Sequence, residues 1–125
     1  MPRRGPDRPA ADGPRRAGNV FAGLTEPGAA EVFDTLFDSA AVRIERIVSH
    51  DHANAEDFWY DQPDDEWVMV VRGEAVLVLD DGRRHAMHAG DWILIPAHCR
   101  HRVASTGADT VWLAVHVAAR GEPAR

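Results

Sequence analysis

Apolar and polar residues alternate along much of the chain after residue 41, which is the pattern of strands that bury one face. Residues 42–48 (VRIERIV) alternate apolar and charged residues over most of their length, and further short apolar or alternating runs occupy 67–72, 75–79, 84–88, 92–95, 102–104 and 110–118. Asp81-Gly82 predicts a tight hairpin, because both central positions of such a turn favour residues that tolerate positive φ. Seven or eight short strands separated by turns predict an all-β chain, a closed or double-sheet antiparallel barrel.

Two segments before residue 42 differ from this pattern. Residues 31–39 (EVFDTLFDS) place four apolar side chains at helical spacing, which predicts a short N-terminal helical turn packed against the barrel. Residues 1–18 are rich in arginine and proline, which is typical of a disordered tail. The predicted organisation is therefore a tail over 1–18 and one barrel domain over 19–120.

Composition excludes several functions. All 14 basic residues are arginines, so Schiff-base chemistry and lysine-dependent phosphate loops are excluded. The net charge of −6 is the sum of +3 on residues 1–18 and −9 on the rest, and a part that acidic would repel nucleic acid. No apolar run reaches the roughly 18 residues that cross a bilayer, and no export signal is recognisable. The single cysteine, Cys99, cannot form an internal disulfide, so the sequence predicts a cytoplasmic protein. The acidic charge and the lack of a long apolar run predict that it binds neither nucleic acid nor membrane.

Two spaced motifs indicate a family. Gly90, Pro96 and His101 follow the second cupin motif, and Glu66 and Gly73 follow the second half of the first. Over residues 42–118 the chain resembles small single-domain cupins, including an uncharacterised bacterial branch with a WYDQ segment at 59–62. The resemblance implies a double-stranded β-helix (jelly-roll, RmlC-like) barrel. It also implies a divalent first-row metal (Mn, Fe, Ni or Zn) held by inward-pointing motif residues.

The first cupin motif is incomplete, because its two histidines are missing. Their positions fall on Trp59 and Asp61 if the spacer before Glu66 has four residues, or on Tyr60 and Gln62 if it has three. Residues 50–56 spell the motif literally, with two histidines and a glutamate, but neither the expected glycine nor a strand follows. We therefore place the motif at Glu66 and expect the two histidines of that segment, His50 and His52, in a loop whose contribution to the site stays open.

These positions give two sets of candidate site residues. The resemblance implies a metal held by carboxylate and imidazole groups, for which the candidates are Asp61, Glu66, His98 and His101. Aromatic and polar side chains near the barrel mouth or on an inward strand face are candidates for contact with a small ligand. They are Trp59, Tyr60, Gln62 and His116.

Two functions fit these residues. The first is a metal-dependent oxygenase, isomerase or lyase acting on a small polar metabolite, since the cupins that the chain resembles host many reactions. The second is a non-catalytic ligand-binding or sensing barrel with a degenerate metal site. In both cases we expect a homodimer, because small barrels often pair to bury more apolar surface.

Overall fold

The computed structural model describes residues 16–24, 26 and 30–119, which form eight strands and no helix within those ranges. The strands are β1 (Val32–Asp38), β2 (Val42–Ser49), β3 (Asp64–Arg72), β4 (Glu74–Leu79), β5 (Arg84–His88), β6 (Trp92–Ile95), β7 (His101–Thr106) and β8 (Thr110–Ala118). The predicted all-β jelly-roll architecture is confirmed.

The strands form two antiparallel sheets that face each other. The larger sheet has the order β1-β2-β8-β3-β6, and the smaller has the order β5-β4-β7. Their facing surfaces bury a common apolar core that includes Val68 and Val70 from the larger sheet and Leu77 and Met87 from the smaller. This core fills one part of the space between the sheets and leaves another part open as a cavity.

The predicted helical turn at residues 31–39 is wrong, because this segment forms strand β1. It pairs antiparallel with β2, where Val32 lies opposite Val48 and Phe37 opposite Ile44, with a bulge between Thr35 and Phe37. Helical spacing over nine residues is a weak signal, and the unpaired edge of β2 offers the segment a full set of backbone hydrogen bonds. Pairing with β2 therefore outweighs the helical spacing of the apolar residues in this segment.

Two motif glycines have conformations that other residues rarely adopt. Gly73 (φ +92°) joins β3 to β4, and a Cβ there would lie 2.6 Å from the Asp109 carbonyl oxygen. Gly90 (φ +94°) lies in the turn before β6 and has open space around it. Both sites favour glycine for its φ, but only Gly73 also needs the missing Cβ for close backbone approach.

The N-terminal segment lies against the larger sheet. Arg46, which is buried, donates to the Asp34 carboxylate at 2.7 Å and to the main-chain carbonyls of Val20 and Ala22. The tail predicted over 1–18 lies outside the described residues except for Arg16–Gly18, which is exposed. Across the described ranges, no helix has the length and apolar character needed to cross a membrane.

Candidate functional site

A cavity of about 220 Å³ lies between the two sheets. Its wall is apolar deep in the barrel and polar toward β2 and the segment before β3. The apolar part includes Val68, Leu77 and Trp112, and the polar part consists of Glu31, Arg43, Glu45, Tyr60, Gln62, Glu66, His101 and His116. The volume is below the roughly 300–1,000 Å³ typical of drug-sized ligands, so the cavity suits a small metabolite.

His101 and Glu66 form a buried pair in this cavity. They are 5% and 7% exposed, and Nε2 of His101 lies 3.5 Å from Oε1 of Glu66. The other ring nitrogen, Nδ1, lies 3.0 Å from the Cys99 carbonyl oxygen, which can only accept. Nδ1 therefore carries the proton, and Nε2 is the atom that gains or loses one next to the carboxylate.

The surroundings of His101 favour its protonated form. Burial by itself lowers the pKa of the imidazole, but Glu66 and the Cys99 carbonyl together outweigh burial and raise the pKa above its ordinary value. A histidine pKa raised from about 6.5 moves toward neutral pH, where a group can both accept and donate a proton. The pair therefore has the properties of a general acid–base.

Tyr60 and Gln62 occupy the positions of the missing motif histidines. Both line the cavity together with Glu66, which fits the spacer of three residues and not the spacer of four. Burial, and then the charges of Glu31 and Glu66, raise the pKa of the Tyr60 phenol. The phenol is therefore neutral near pH 7 and can donate a hydrogen bond to a ligand oxygen.

A second imidazole, His116, enters the cavity from β8. Its Nε2 lies 3.1 Å from Oε1 of Glu45 on the neighbouring strand β2, and the second carboxylate oxygen of Glu45 lies 3.3 Å from Nε of Arg43. The hydrogen bond from His116, with help from the Arg43 charge, lowers the pKa of Glu45 despite its partial burial. Glu45 is therefore a carboxylate, and His116 donates to it through Nε2.

A chain of hydrogen bonds holds Glu31 in the cavity wall. Ser49 donates to Oε2 of Glu31 at 2.6 Å and accepts from the Trp112 indole at 3.1 Å. His52 also lies near Glu31, with Nε2 3.5 Å from Oε1. His50 and His52 do not line the cavity, and His52 contacts the cavity wall through Glu31.

Asp61 and His98, two of the residues predicted as metal ligands, lie outside the cavity. Nδ1 of His98 lies 2.8 Å from Oδ1 of Asp61, and the two side chains are 62% and 50% exposed. His98 has φ +63°, at the position where the family motif has glycine. The structure therefore brings Glu66 and His101 together but pairs the other two predicted ligands with each other at the surface.

Among the predicted ligand-contact residues, Tyr60, Gln62 and His116 line the cavity and Trp59 does not. The guanidinium groups of Arg100 and Arg102 lie 5.9 and 5.3 Å from the Trp59 ring. Sequence reasoning missed three charged residues of the cavity wall: Glu31, Arg43 and Glu45. Alternation along β2 indicated a strand with one buried face, but it did not indicate that the face with Arg43 and Glu45 turns inward.

The cavity residues do not fit the metal that the fold family implies. The motif positions supply one imidazole and one carboxylate, together with a neutral phenol and an amide in place of two histidines. First-row metals favour imidazole, thiolate and carboxylate ligands. Within the described ranges no three His, Cys, Asp or Glu side chains are arranged to hold an ion.

Comparison with known proteins agrees with the fold. Residues 52–116 match the family model of the cupin domain. A structure from Ralstonia eutropha JMP134, provisionally named a mannose-6-phosphate isomerase, is 47% identical, covering 84% of this chain and 100% of its own, with a TM-score of 0.79. No curated protein matches the chain.

More distant structures share only the fold. A cupin superfamily protein from Desulfitobacterium hafniense is 18% identical with a TM-score of 0.69, covering 83% of this chain and 93% of its own. An RmlC-like cupin from Methanocaldococcus jannaschii is 16% identical with a TM-score of 0.60, covering 76% and 87%.

Proposed function

The chain belongs to the cupin family, and we propose that its cavity binds a small polar metabolite directly and moves a proton within it. His101 and Glu66 form the acid–base pair. The observation that carries this proposal is the buried pair itself, with Nε2 of His101 facing a carboxylate inside a ligand-sized cavity. Tyr60 supplies a hydrogen-bond donor beside it.

The chemistry that suits these groups is isomerisation of a hydroxy-carbonyl compound. Nε2 of neutral His101 takes a proton from the carbon next to the carbonyl, and the Tyr60 hydroxyl donates to the oxygen on which charge develops. Glu66 stabilises the imidazolium. The proton on the His101 imidazolium exchanges with solvent, and return of a proton from Nε2 to the neighbouring carbon, with proton transfer between the two oxygens, completes an isomerisation in which no net oxidation occurs. The provisional isomerase name of the Ralstonia relative supports this class.

Two alternatives remain as predictions. A divalent metal is favoured by the motif positions of Glu66 and His101, although the rest of the donor set does not suit one. A non-catalytic binding or sensing barrel is favoured by Tyr60 and Gln62, which replace both motif histidines. The two alternatives differ from the main proposal in metal content and in turnover, so both can be tested on one preparation.

The test is deuterium exchange into simple sugars by metal-stripped, tag-free protein. D-Erythrose, D-ribose and D-mannose are incubated in D₂O, and loss of the proton next to the carbonyl is followed by proton NMR. We expect exchange above the buffer rate for at least one sugar, loss of that exchange in His101→Gln, and retention in the exposed loop variant Glu56→Gln. Binding without exchange would favour the sensing barrel, and exchange that requires added Mn, Fe, Ni or Zn would favour the metal enzyme.

We propose that the chain is a homodimer that pairs through the outer face of the larger sheet. One row of directly paired residues crosses all five strands of this face: Phe37, Ile44, Val115, Trp67 and Leu94. Phe37 and Leu94 are each more than half exposed, as is the neighbouring Trp92, whose ring lies 5.8 Å from that of Trp67. Contiguous exposed apolar residues of this kind mark interaction sites.

A second copy is the occupant that the chain favours for this face. The N-terminal segment covers the end near Arg46, and the apolar row lies beyond it. Residues 1–15 and 120–125 of the sequence contain no large apolar side chain except Met1. A two-fold pairing of the row with itself would bury it.

We also propose a cytoplasmic location. Cys99 packs against the core, and burial, followed by the charges of Asp80 and Asp81, raises the pKa of its thiol. The thiol is therefore protonated near neutral pH. The support for the location is that the sequence has this one cysteine and so forms no internal disulfide, as is usual in a reducing compartment.

A further inference from the structure

We infer that the metabolite held by this cavity carries a protonated amine and no phosphate. The inference rests on the proposed function, because it names the ligand class of the same site. It follows from two properties of the cavity wall. One is its net charge, and the other is the balance of acceptors and donors among its buried polar atoms that have no hydrogen-bond partner.

The wall contains more acidic than basic side chains. Three carboxylates, Glu31, Glu45 and Glu66, face one guanidinium, that of Arg43. Acidic groups therefore outnumber the guanidinium by two. A buried anionic wall is stabilised by a cation and destabilised by a second anion.

The free hydrogen-bonding atoms of the wall include more acceptors than donors. Oε1 of Glu66, Nδ1 of His116 and Nε of Arg43 are buried, and none of the three has a hydrogen-bond partner among the described residues. Oε1 of Glu66 lies 3.5 Å from Nε2 of His101, and Nε of Arg43 lies 3.3 Å from Oε2 of Glu45. A carboxylate oxygen can only accept, and Nδ1 of neutral His116 must accept because Nε2 donates to Glu45. Glu66 and His116 lie directly opposite each other on β3 and β8, which places their side chains on the same face of the sheet.

An ammonium group satisfies both requirements. It carries the positive charge that the wall lacks and offers three donors to the free acceptors. A hydroxyl offers one donor and no charge. Because a buried polar group without a partner is unfavourable, a ligand with an ammonium at this position gains more than its neutral analogue.

A phosphate group fits neither requirement. It carries negative charge, and two of the three free atoms of the wall are acceptors like its own oxygens. The free donor, Nε of Arg43, belongs to the single guanidinium of the cavity wall and lies 3.3 Å from the Glu45 carboxylate, which would repel a phosphate there. The name of the Ralstonia relative refers to a phosphorylated sugar, and the cavity of this chain is a poor match for such a ligand.

The test compares matched ligands that differ in one group, at pH 7 and by isothermal titration calorimetry. One series is D-glucosamine, D-glucose and D-glucose 6-phosphate, and a smaller series is ethanolamine, ethylene glycol and phosphoglycolate. In at least one series we expect the amine to bind roughly tenfold more tightly than the hydroxyl compound, with no measurable binding of the phosphate. In Glu66→Gln this preference should fall severalfold, whereas the exposed control Glu56→Gln should retain it.

The outcomes separate the two proposals. Equal binding of amine and hydroxyl compounds overturns the amine inference and leaves the proposed function standing. Tightest binding of the phosphate also overturns the inference. If no ligand of either series binds, the inference fails, and deuterium exchange in the sugar experiment then decides whether the proposed function fails with it. A preference for the amine that survives unchanged in Glu66→Gln contradicts the assignment of the free acceptors.

Discussion

Tyr60 and His101 are held together by both their backbones and their rings. The Tyr60 N–H donates to the His101 carbonyl at 2.7 Å, the His101 N–H donates back at 3.2 Å, and the two rings stack with centroids 5.4 Å apart at 26°. This isolated bridge fixes the segment before β3 against the start of β7. The phenol and the imidazole therefore enter the cavity as a preorganised pair.

This pairing predicts different effects for two substitutions of Tyr60. Tyr60→Phe keeps the stacked ring, so the free energy of unfolding should change by less than about 1 kcal/mol while ligand affinity falls. Tyr60→Ala removes the stack and leaves a gap in a half-buried site, so the free energy of unfolding should fall by about 2 kcal/mol. Urea denaturation measures both, and equal stability losses in the two variants would contradict the role of the ring.

Two positive-φ glycines, Gly82 in the β4–β5 hairpin and Gly73 between β3 and β4, provide a matched pair. Gly82→Ala introduces a Cβ into open space, so it incurs only the backbone strain of φ +90°, about 1 kcal/mol. Gly73→Ala adds a contact of 2.6 Å with the Asp109 carbonyl, so its free energy of unfolding should be lower by roughly a further 2 kcal/mol. Thermal unfolding of both variants checks this, and an effect at Gly82 as large as that at Gly73 would contradict it.

The raised pKa of His101 predicts how stability depends on pH. Because the pKa is higher in the folded chain, protonation of His101 contributes stability that is fully present below its unfolded value of about 6.5. This contribution is lost as the pH rises through the folded pKa. Glu66→Gln removes one group that raises the pKa, so the stability difference from wild type should shrink as the pH rises from about 6 to 8.

Urea denaturation at several pH values measures this dependence. Glu56→Gln, which changes an exposed carboxylate outside the cavity, should show no such trend. A difference between wild type and Glu66→Gln that stays constant or grows over this range would show that Glu66 does not raise the pKa of His101.

The apolar row on the larger sheet predicts the effect of a charge at the proposed dimer interface. Leu94→Glu places a carboxylate on an exposed position of this row, so it should shift the molar mass measured by light scattering from dimer to monomer at micromolar concentration. Ala55→Glu, in an exposed loop, is the control and should leave the mass unchanged. A wild-type mass equal to that of one chain would contradict the dimer itself.

Much of the fold could be predicted from the sequence because strand alternation and turn residues are local signals. The strands on either side of Asp81-Gly82 do pair as a hairpin, although only Gly82, and not Asp81, has the positive φ on which the prediction rested. Strand β1 was not predicted correctly, because its conformation depends on the free edge of β2, which lies outside the segment. The helical spacing of the apolar residues therefore predicted a helical turn in a segment that pairing with β2 makes a strand.

The site was partly predictable for a similar reason. Motif spacing identified Glu66 and His101. It allowed a spacer of either three or four residues before Glu66, so the residues that replace the missing histidines stayed open. The structure shows that Tyr60 and Gln62 line the cavity, whereas Trp59 and Asp61 do not. Glu31 could not be predicted, because the hydrogen bond from Ser49 that holds it in place joins residues 18 positions apart. Such contacts have no signature in the linear sequence.

The most direct test of the account is a proton NMR titration of the His101 ring in tag-free protein, with and without EDTA, the signal being assigned by its loss in His101→Gln. The account predicts a reversible titration with a pKa above about 6.5 and identical curves in both conditions. A metal-bound imidazole does not titrate in this range because the metal occupies the nitrogen that would take the proton. A His101 signal that titrates only after EDTA is added would contradict the metal-free acid–base pair.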